Sequence, residues 1–155
     1  MKLYNELGPG YSEPIYQECL SILCQEHGIR WEREKPLKMY FHDQELNKEY
    51  IADFVCFDDI IVELKAVSEV IGDHRAQLFN YLRITGLHAG MLMNFGENER
   101  LHTEKYLYNP TTNKYDIVYG NGKPRSKYYP GTNIPFAPAP QGNDASPSPA
   151  TQSMI

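Results

Sequence analysis

The sequence predicts an α/β domain built around a mixed β-sheet. Three features indicate this class: a capped helical stretch after a glycine turn, three runs of strand-forming residues, and a second helical stretch between two apolar strands. A helix of about a dozen residues between two strands normally forms a right-handed crossover, which makes those strands parallel neighbours. The three runs before that crossover form a meander, so the sheet should contain both parallel and antiparallel pairs.

The two predicted helices have recognisable ends. The first follows the turn GPG at residues 8–10, is capped by Ser12 and is ended by Gly28. Asp73 is expected to cap the second helix, and Gly86 closes it. The apolar stripe of the first helix consists of Tyr16, Cys19, Leu20 and Leu23.

Strand-forming runs with period-two alternation account for most of the remaining domain. The predicted strands are residues 29–40, 49–57, 60–66, 89–95, 106–108 and 115–119. Pro36 marks an edge or a bend in the first of them, because proline cannot donate a ladder hydrogen bond. The last two strands, separated by NPTTNK, form a C-terminal hairpin.

The composition divides the chain into a domain at residues 1–120 and a tail at residues 121–155. A chain of 155 residues has room for one domain with a proper core. From Gly120 onward Pro, Ser, Gly and Asn dominate and the aliphatic pattern is lost. Such a segment buries too little surface to offset its ordering entropy, so the tail is expected to be disordered.

Charge and cysteine content bound the partners and the compartment. The net charge is −5, with 20 acidic residues against 15 Lys and Arg, which counts against a constitutive grip on nucleic acid. It leaves open a site where metal ions neutralise carboxylates and phosphates. Three cysteines without a CxxC pair suit free thiols in a reducing cytosol, and no apolar run or signal pattern indicates a membrane or export. A cytoplasmic location is therefore expected.

Two acids lie on adjacent strands that otherwise look buried. The stretch YIADFVCFDDIIVELKA, residues 50–66, places Asp53 on one strand and Glu63 on the next. Because side chains alternate between faces, the turn decides whether these carboxylates meet. A two-residue loop at 58–59 would set them on opposite faces. A three-residue loop at 57–59, or a bulge, sets them directly opposite each other, and this is the register we expect.

In that register the two carboxylates would have Cβ atoms roughly 5 Å apart. Carboxylates so close need a proton or a cation between them, and oxygen-rich sites of this kind suit Mg²⁺ or Mn²⁺. Lys65 shares the face of Glu63 and could orient or activate water, or stabilise negative charge on a phosphate. The alternative is an exposed strand face with a Glu63–Lys65 pair of little consequence, which the apolar character of both strands disfavours.

Three helical residues are further candidates for the site. Glu13 follows the cap, where the helix N-terminus favours its ionised form, and it shares a face with Tyr16. Gln77 and Tyr81 are four residues apart on the second helix, with His74 on the same side. Taken singly, each has an ordinary explanation: Glu13 would complement the helix dipole, Gln77 would face solvent and Tyr81 would pack in the core.

Together these residues resemble the GxxExxY family of the PD-(D/E)XK nuclease superfamily. GYSEPIY carries the GxxExxY signature, ADFVCFDDIIVELKA carries D-x(n)-E-x-K, and AQLFNYL carries Q-x-x-x-Y. The likeness runs from about residue 1 to about residue 95, and Ala52 stands where the superfamily name has proline. The matching residues are Gly10, Glu13 and Tyr16, then Asp53, Glu63 and Lys65, then Gln77 and Tyr81.

The resemblance implies a restriction-endonuclease-like αβββαβ core and metal-dependent phosphodiester hydrolysis. Asp53 and Glu63 would bind Mg²⁺ or Mn²⁺, with Glu13 as a direct ligand or a residue behind the ligands. Lys65 would be catalytic, and Gln77 and Tyr81 would position the substrate or Lys65. The expected function is a nuclease acting on DNA. The alternatives are a catalytically idle nucleic-acid-binding module of the same fold and a protein-interaction domain whose Pro-rich tail docks a partner.

Overall fold

The computed structural model describes residues 2–118 and 124–126. Three helices and nine strands lie in this part of the chain. In order they are α1 (Lys2–Leu7), α2 (Glu13–Glu26), β1 (Trp31–Leu37), β2 (Tyr40–Phe41), β3 (Gln44–Glu45), β4 (Tyr50–Cys56), β5 (Ile60–Lys65), α3 (Gly72–Thr85), β6 (Ala89–Asn94), β7 (His102–Asn109), β8 (Lys114–Val118) and β9 (Pro124–Ser126).

The main sheet has seven strands in the order β1-β4-β5-β6-β7-β8-β9. Strands β5 and β6 are parallel, and every other neighbouring pair is antiparallel. The succession α2-β1-β4-β5-α3-β6 is the αβββαβ core, so the predicted α/β class with a mixed sheet is confirmed. Strands β2 and β3 form a separate two-stranded sheet between β1 and β4.

The sheet is covered by helices on both faces. One apolar cluster joins α1 and α2 to the sheet through Leu3 and Tyr16, which pack with Phe54, Val62 and Leu64. The other cluster joins α3 to the opposite face and includes Val55, Ile61, Leu78, Leu82 and Leu92. Val62 and Leu64 are therefore buried on the face away from α3, as the alternation along the second strand of the hairpin predicts.

The crossover from β5 through α3 to β6 has the predicted order but a different helix start. Gly86 ends α3 in the left-handed conformation at φ 71°, as glycine at this position should. The residue at the start is Ile71, and its N–H donates to Nδ1 of His74 at 3.2 Å. The expectation that Asp73 caps the helix is therefore wrong. Asp73 lies inside the first turn, where its charge still favours the helix dipole.

The C-terminal hairpin is confirmed and starts earlier than predicted. Its strands β7 and β8 pair Tyr108 with Tyr115, and the ring of Tyr115 stacks on Phe79 of α3 at 4.2 Å between centroids. Strand β9 lies within the stretch predicted to be a tail and pairs with β8. The rest of that stretch, with Tyr119, lies outside the described residues. No helix in residues 2–118 and 124–126 is long and apolar enough to cross a membrane.

Candidate active site

The hairpin of β4 and β5 has the register in which the two acids are opposite each other. Cys56 pairs with Ile60, and the ladder continues to Phe54 and Val62. The loop is therefore Phe57-Asp58-Asp59, with left-handed backbone at Phe57 (φ 54°) and Asp58 (φ 58°). The recorded pairing ends at Phe54–Val62, which confirms the predicted loop; extended by one residue, this register would set Asp53 opposite Glu63.

Asp53 lies where β1 and β4 change the face they present. Leu37 and Ala52 belong to the α3 cluster, whereas Phe54 belongs to the α1–α2 cluster, although strict alternation would put Ala52 and Phe54 together. On β1, Glu34 has a left-handed backbone (φ 50°) at the level of Asp53. The alternation of faces along β4 is therefore interrupted at Asp53, whose carboxylate contacts Gln17 of α2.

The Asp53 carboxylate is held through both oxygens. Nε2 of Gln17 donates to its Oδ1 at 2.9 Å, and the backbone N–H of Leu64 donates to its Oδ2 at 2.7 Å. Burial raises the pKa of Asp53, while the Leu64 hydrogen bond and the charge of Lys65 oppose the rise. At the point where β4 and β5 separate, the Asp53 carboxylate thus accepts the hydrogen bond that a backbone carbonyl of β4 would accept in a regular ladder.

Glu63 and Lys65 form a buried ion pair. Nζ of Lys65 lies 2.7 Å from Oε1 of Glu63, and the Glu63 side chain is 1% exposed. Burial raises the pKa of Glu63 to about 7, and the charge of Asp53 adds to the rise. Burial alone would lower the pKa of Lys65, but the contacts with Glu63 and the charges of Glu13 and Asp53 hold it above its usual value. Lys65 therefore remains an ammonium group.

The second oxygen of Glu63 has no partner in the part of the chain that the structure describes. Oε2 is buried and makes no hydrogen bond there. A buried carboxylate oxygen without a donor costs free energy unless a proton or a cation compensates it. The charge of Asp53 is near enough to raise the Glu63 pKa. A divalent cation beside these carboxylates would supply the missing compensation.

Residues 2–118 and 124–126 contain no group of three or more His, Cys, Asp or Glu side chains that could hold a metal ion. Mg²⁺ does not need such a cage, because it keeps several waters and binds through one or two carboxylates plus the oxygens of a substrate. The pair Asp53 and Glu63 meets that requirement. Glu13 is close enough for mutual charge effects with Asp53 and Lys65.

Glu13 is set in place by the turn that precedes α2. It lies half-buried in the first helical turn, and burial raises its pKa, with Lys65 opposing the rise. Gly10 has φ 109°, a conformation open to glycine. Tyr16 fastens the turn: its hydroxyl donates to the carbonyl of Gly8 at 2.8 Å, and its ring stacks on Phe95 at 4.3 Å. Gly10 and Tyr16 thus hold the turn before α2, and this turn places Glu13 near the hairpin.

Gln77 and Tyr81 reach the site from the opposite layer. Nε2 of Gln77 donates to the Tyr81 hydroxyl at 2.7 Å, and the Tyr81 ring meets Tyr50 edge-on at 5.8 Å. Burial raises the pKa of Tyr81 to about 12, and the charges of Glu63 and Asp53 contribute to the rise. Tyr81 is therefore a neutral hydroxyl beside the acids.

Two residues near Asp53, Gln17 and Arg33, were not predicted from the sequence. Gln17 is buried on α2, and its Oε1 accepts a hydrogen bond from Nη2 of Arg33 at 3.2 Å. Gln17 follows Glu13 by four residues, and this helical spacing was the available signal. Arg33 carries no comparable signal, because its position depends on how β1 bends at Glu34.

Comparison with known proteins gives one family and one solved structure to report. The family model described as the PD-(D/E)XK nuclease superfamily matches residues 1–106. No curated protein matches this chain. The crystal structure of SSO0001 is 20% identical, with a TM-score of 0.46, and the match covers 59% of this chain and 48% of that one. The chain thus spans about half the length of that structure.

Proposed function

Because the chain belongs to the PD-(D/E)XK nuclease superfamily, whose model matches residues 1–106, we propose that it is a metal-dependent nuclease that hydrolyses phosphodiester bonds in DNA. The observation that carries this proposal is the Glu63 carboxylate. It is buried one residue beyond the end of the β4–β5 ladder, is paired with Lys65 through one oxygen, and has no described partner on the other. A purely structural hairpin gains nothing from this arrangement.

Within the superfamily, the GxxExxY branch is the one that the N-terminal motif supports. Gly10, Glu13 and Tyr16 have separate physical tasks, since the glycine allows the turn, the tyrosine fastens it and the acid points toward the hairpin. Shared spacing alone would be weaker support. This division of tasks gives each of the three residues a physical reason to occupy its position.

In the proposed reaction Asp53 and Glu63 bind Mg²⁺ or Mn²⁺, with Glu13 as a direct ligand or a residue behind the ligands. The bound cation supplies charge neutralisation for the carboxylates and the substrate phosphate, together with a more acidic water. Asp53 contributes an oriented carboxylate because both of its oxygens are already held. Glu63 contributes Oε2, the buried acceptor without a described partner.

Lys65 is the proposed catalytic cation. Its raised pKa keeps the ammonium charged, which suits stabilisation of negative charge on phosphate better than acceptance of a proton. In the reaction, a water oxygen bonds to phosphorus while the bond from phosphorus to a sugar oxygen breaks. The water gives up one proton and the leaving oxygen gains one. Gln77 and Tyr81 are proposed to position the substrate or Lys65 from the α3 side.

A second candidate is an idle module of the same fold that binds nucleic acid or a protein. The net charge of −5 favours it, because a nucleic-acid surface is normally basic. The costly burial of Glu63 and Lys65 close to the partly buried Asp53 favours the enzyme. The two candidates differ in a single observable, which is phosphodiester cleavage that depends on a divalent cation.

The test is incubation with a mixture of labelled DNA and RNA in Mg²⁺ or Mn²⁺, beside an EDTA control. The native protein should cut DNA, and Lys65→Ala should lose at least about 100-fold in rate, as expected when a group that stabilises transition-state charge is removed. Lys105→Ala, which alters an exposed lysine on β7, is the matched control and should retain full activity. Cleavage that survives in Lys65→Ala would refute this site, and cleavage of RNA alone would change the substrate.

A further inference from the structure

A chain of hydrogen bonds leads from β1 through α2 to one of the proposed metal ligands. Arg33 donates through Nη2 to Oε1 of Gln17 at 3.2 Å, and Gln17 donates through Nε2 to Oδ1 of Asp53 at 2.9 Å. We propose that Gln17, fixed by Arg33, is a positioning residue that sets the rotamer of Asp53 for cation binding. The inference rests on the proposed function, since it concerns the same site.

The two hydrogen bonds that link Arg33, Gln17 and Asp53 form a relay, and the chemistry of the three groups fixes the direction of each bond. A guanidinium group can only donate hydrogen bonds and an ionised carboxylate can only accept them. The amide between them must therefore turn its oxygen toward Arg33 and its nitrogen toward Asp53. Glutamine has both functions on one planar group, and Gln17 is 7% exposed, so little water competes for either bond. Neither an acid nor an apolar residue at this position can make both bonds.

The relay leaves Asp53 able to bind a cation. Gln17 and the Leu64 N–H each occupy one oxygen from the side of the protein, and each oxygen keeps a second lone pair. Without Gln17 the carboxylate would be held at one oxygen only and could turn about the Leu64 hydrogen bond toward the charge of Lys65. Such a turn would move the Asp53 carboxylate out of the orientation proposed for cation binding with Glu63, and would weaken cation binding.

Arg33 serves this role more than it serves the packing of β1. Its Nε is buried and has no hydrogen-bond partner among the described residues, which is a poor arrangement for a purely structural guanidinium. The left-handed residue Glu34 next to it interrupts the pairing of β1 with β4 at the level of Asp53. The bend and the partly buried Arg33 therefore occur at one level of the sheet, beside the carboxylate that they are proposed to orient.

The experiment measures the affinity for Mn²⁺ alone, by the electron paramagnetic resonance signal of the free ion, at a temperature where every variant is folded. Gln17→Met keeps length and helix propensity but removes both polar atoms, and it should weaken Mn²⁺ binding by about 10-fold or more. Arg33→Met should weaken binding by a smaller factor. Arg33→Lys, which restores one donor, should recover most of the loss. Cys24→Ala, a buried change elsewhere on α2, should lower the melting temperature without changing Mn²⁺ affinity.

The double variant Gln17→Met, Arg33→Met distinguishes a relay from two separate effects. If Arg33 acts through Gln17, the double variant should bind Mn²⁺ no more weakly than Gln17→Met does. Native affinity in Gln17→Met, or fully additive losses, would overturn the relay while leaving the nuclease proposal intact. If Gln17→Met fails to fold, native affinity in Arg33→Met overturns it equally. Absence of Mn²⁺ binding to the native protein would instead refute the proposed function and the relay with it.

Discussion

At the scale of single residues, Glu63 couples protonation to metal binding. Burial and Asp53 raise its pKa to about 7, whereas the unfolded chain should titrate near 4.5. The folded state therefore binds this proton more tightly, and the stability associated with it is lost as the pH rises from about 4.5 to about 7. In the proposed site a divalent cation would replace the proton and restore that stability.

We therefore expect stabilisation by Mg²⁺ to depend on pH. The rise in melting temperature caused by saturating Mg²⁺ should be small at pH 5, where the proton occupies Glu63, and larger at pH 8. The measurement is thermal unfolding in EDTA and in Mg²⁺ at each pH. An Mg²⁺ effect of equal size at both values would mean that Glu63 is not where the cation binds.

The sequence could predict the register of the β4–β5 hairpin but not the position of the Asp53 side chain. The register followed from strand periodicity and a three-residue loop, both of which are local properties. The turn of Asp53 toward Gln17 depends on the left-handed Glu34 of a different strand. Glutamate has no preference for that conformation, so the residue types gave no warning of it.

At the scale of elements, the ion pair between α3 and β7 fixes the crossover helix. Arg75 donates to both oxygens of Glu104, at 2.8 and 2.6 Å. Burial would raise the pKa of Glu104, but hydrogen bonds from Arg75, Tyr106 and His102 hold it down at about 2. This lowered pKa contributes stability that is present above about 4.5 and lost as the pH falls toward 2.

Glu104→Gln should therefore destabilise the protein at pH 7 and have little effect near pH 2. One pKa unit corresponds to about 1.4 kcal/mol, so the fall of the Glu104 pKa from 4.5 to about 2 puts the loss at pH 7 on the order of 3 kcal/mol. Urea unfolding at the two pH values measures it. Glu99→Gln, an exposed neighbour, is the control and should change nothing. Equal losses at both pH values would show that packing, rather than charge, accounts for the effect.

A second contact between elements places the segment after Lys65. Asn94 holds Val67 through both its backbone groups, at 3.0 and 2.8 Å. A Cβ added at Gly96 would lie 2.5 Å from the nitrogen of Val67, with no flexible side chain to move away. Only glycine allows this approach.

Gly96→Ala should lower the free energy of unfolding by about 1–3 kcal/mol, since overpacked sites cost this much. It should also weaken Mn²⁺ binding, because the displaced segment begins two residues after Lys65. Gly72→Ala, at the start of α3, meets nothing within 4 Å and should be neutral or slightly stabilising. The comparison requires urea unfolding of both variants, and equal stability of the two would contradict the account of this contact.

Most elements were predictable because their sequence signals are local. The exceptions are a helix start that depends on a side-chain hydrogen bond and elements too short to show periodicity. Gly28 and Gly86 both have the left-handed backbone expected at helix ends. The start of α3 was misplaced because His74 supplies the N-terminal hydrogen bond that an acid was expected to make. Helix α1 and the small β2–β3 sheet were missed, since six-residue and two-residue elements are too short for periodicity to appear.

At the scale of the whole molecule, the order of elements determined the topology. A meander followed by a crossover leaves few ways to arrange the strands, and the observed sheet sets β4 and β5, which carry the acids, side by side between β1 and β6. The division into a domain at residues 1–120 and a tail at 121–155 stays a prediction. The family match ends at residue 106, before the predicted tail.

The acidic net charge also belongs to this scale. With a net charge of −5, the protein should attract nucleic acid poorly until divalent cations neutralise the site. Cation binding is thus the step on which the whole account depends.

The most direct test is thermal unfolding of the native protein and of Asp53→Asn, with and without Mg²⁺ or Mn²⁺. At a free metal concentration 100 times the dissociation constant, one site should stabilise the native protein by about 2.7 kcal/mol. Asp53→Asn should lose most of that stabilisation, because it removes one of the two carboxylates that hold the cation. Equal stabilisation of both proteins, or none in the native protein at millimolar metal, would contradict a metal site between Asp53 and Glu63.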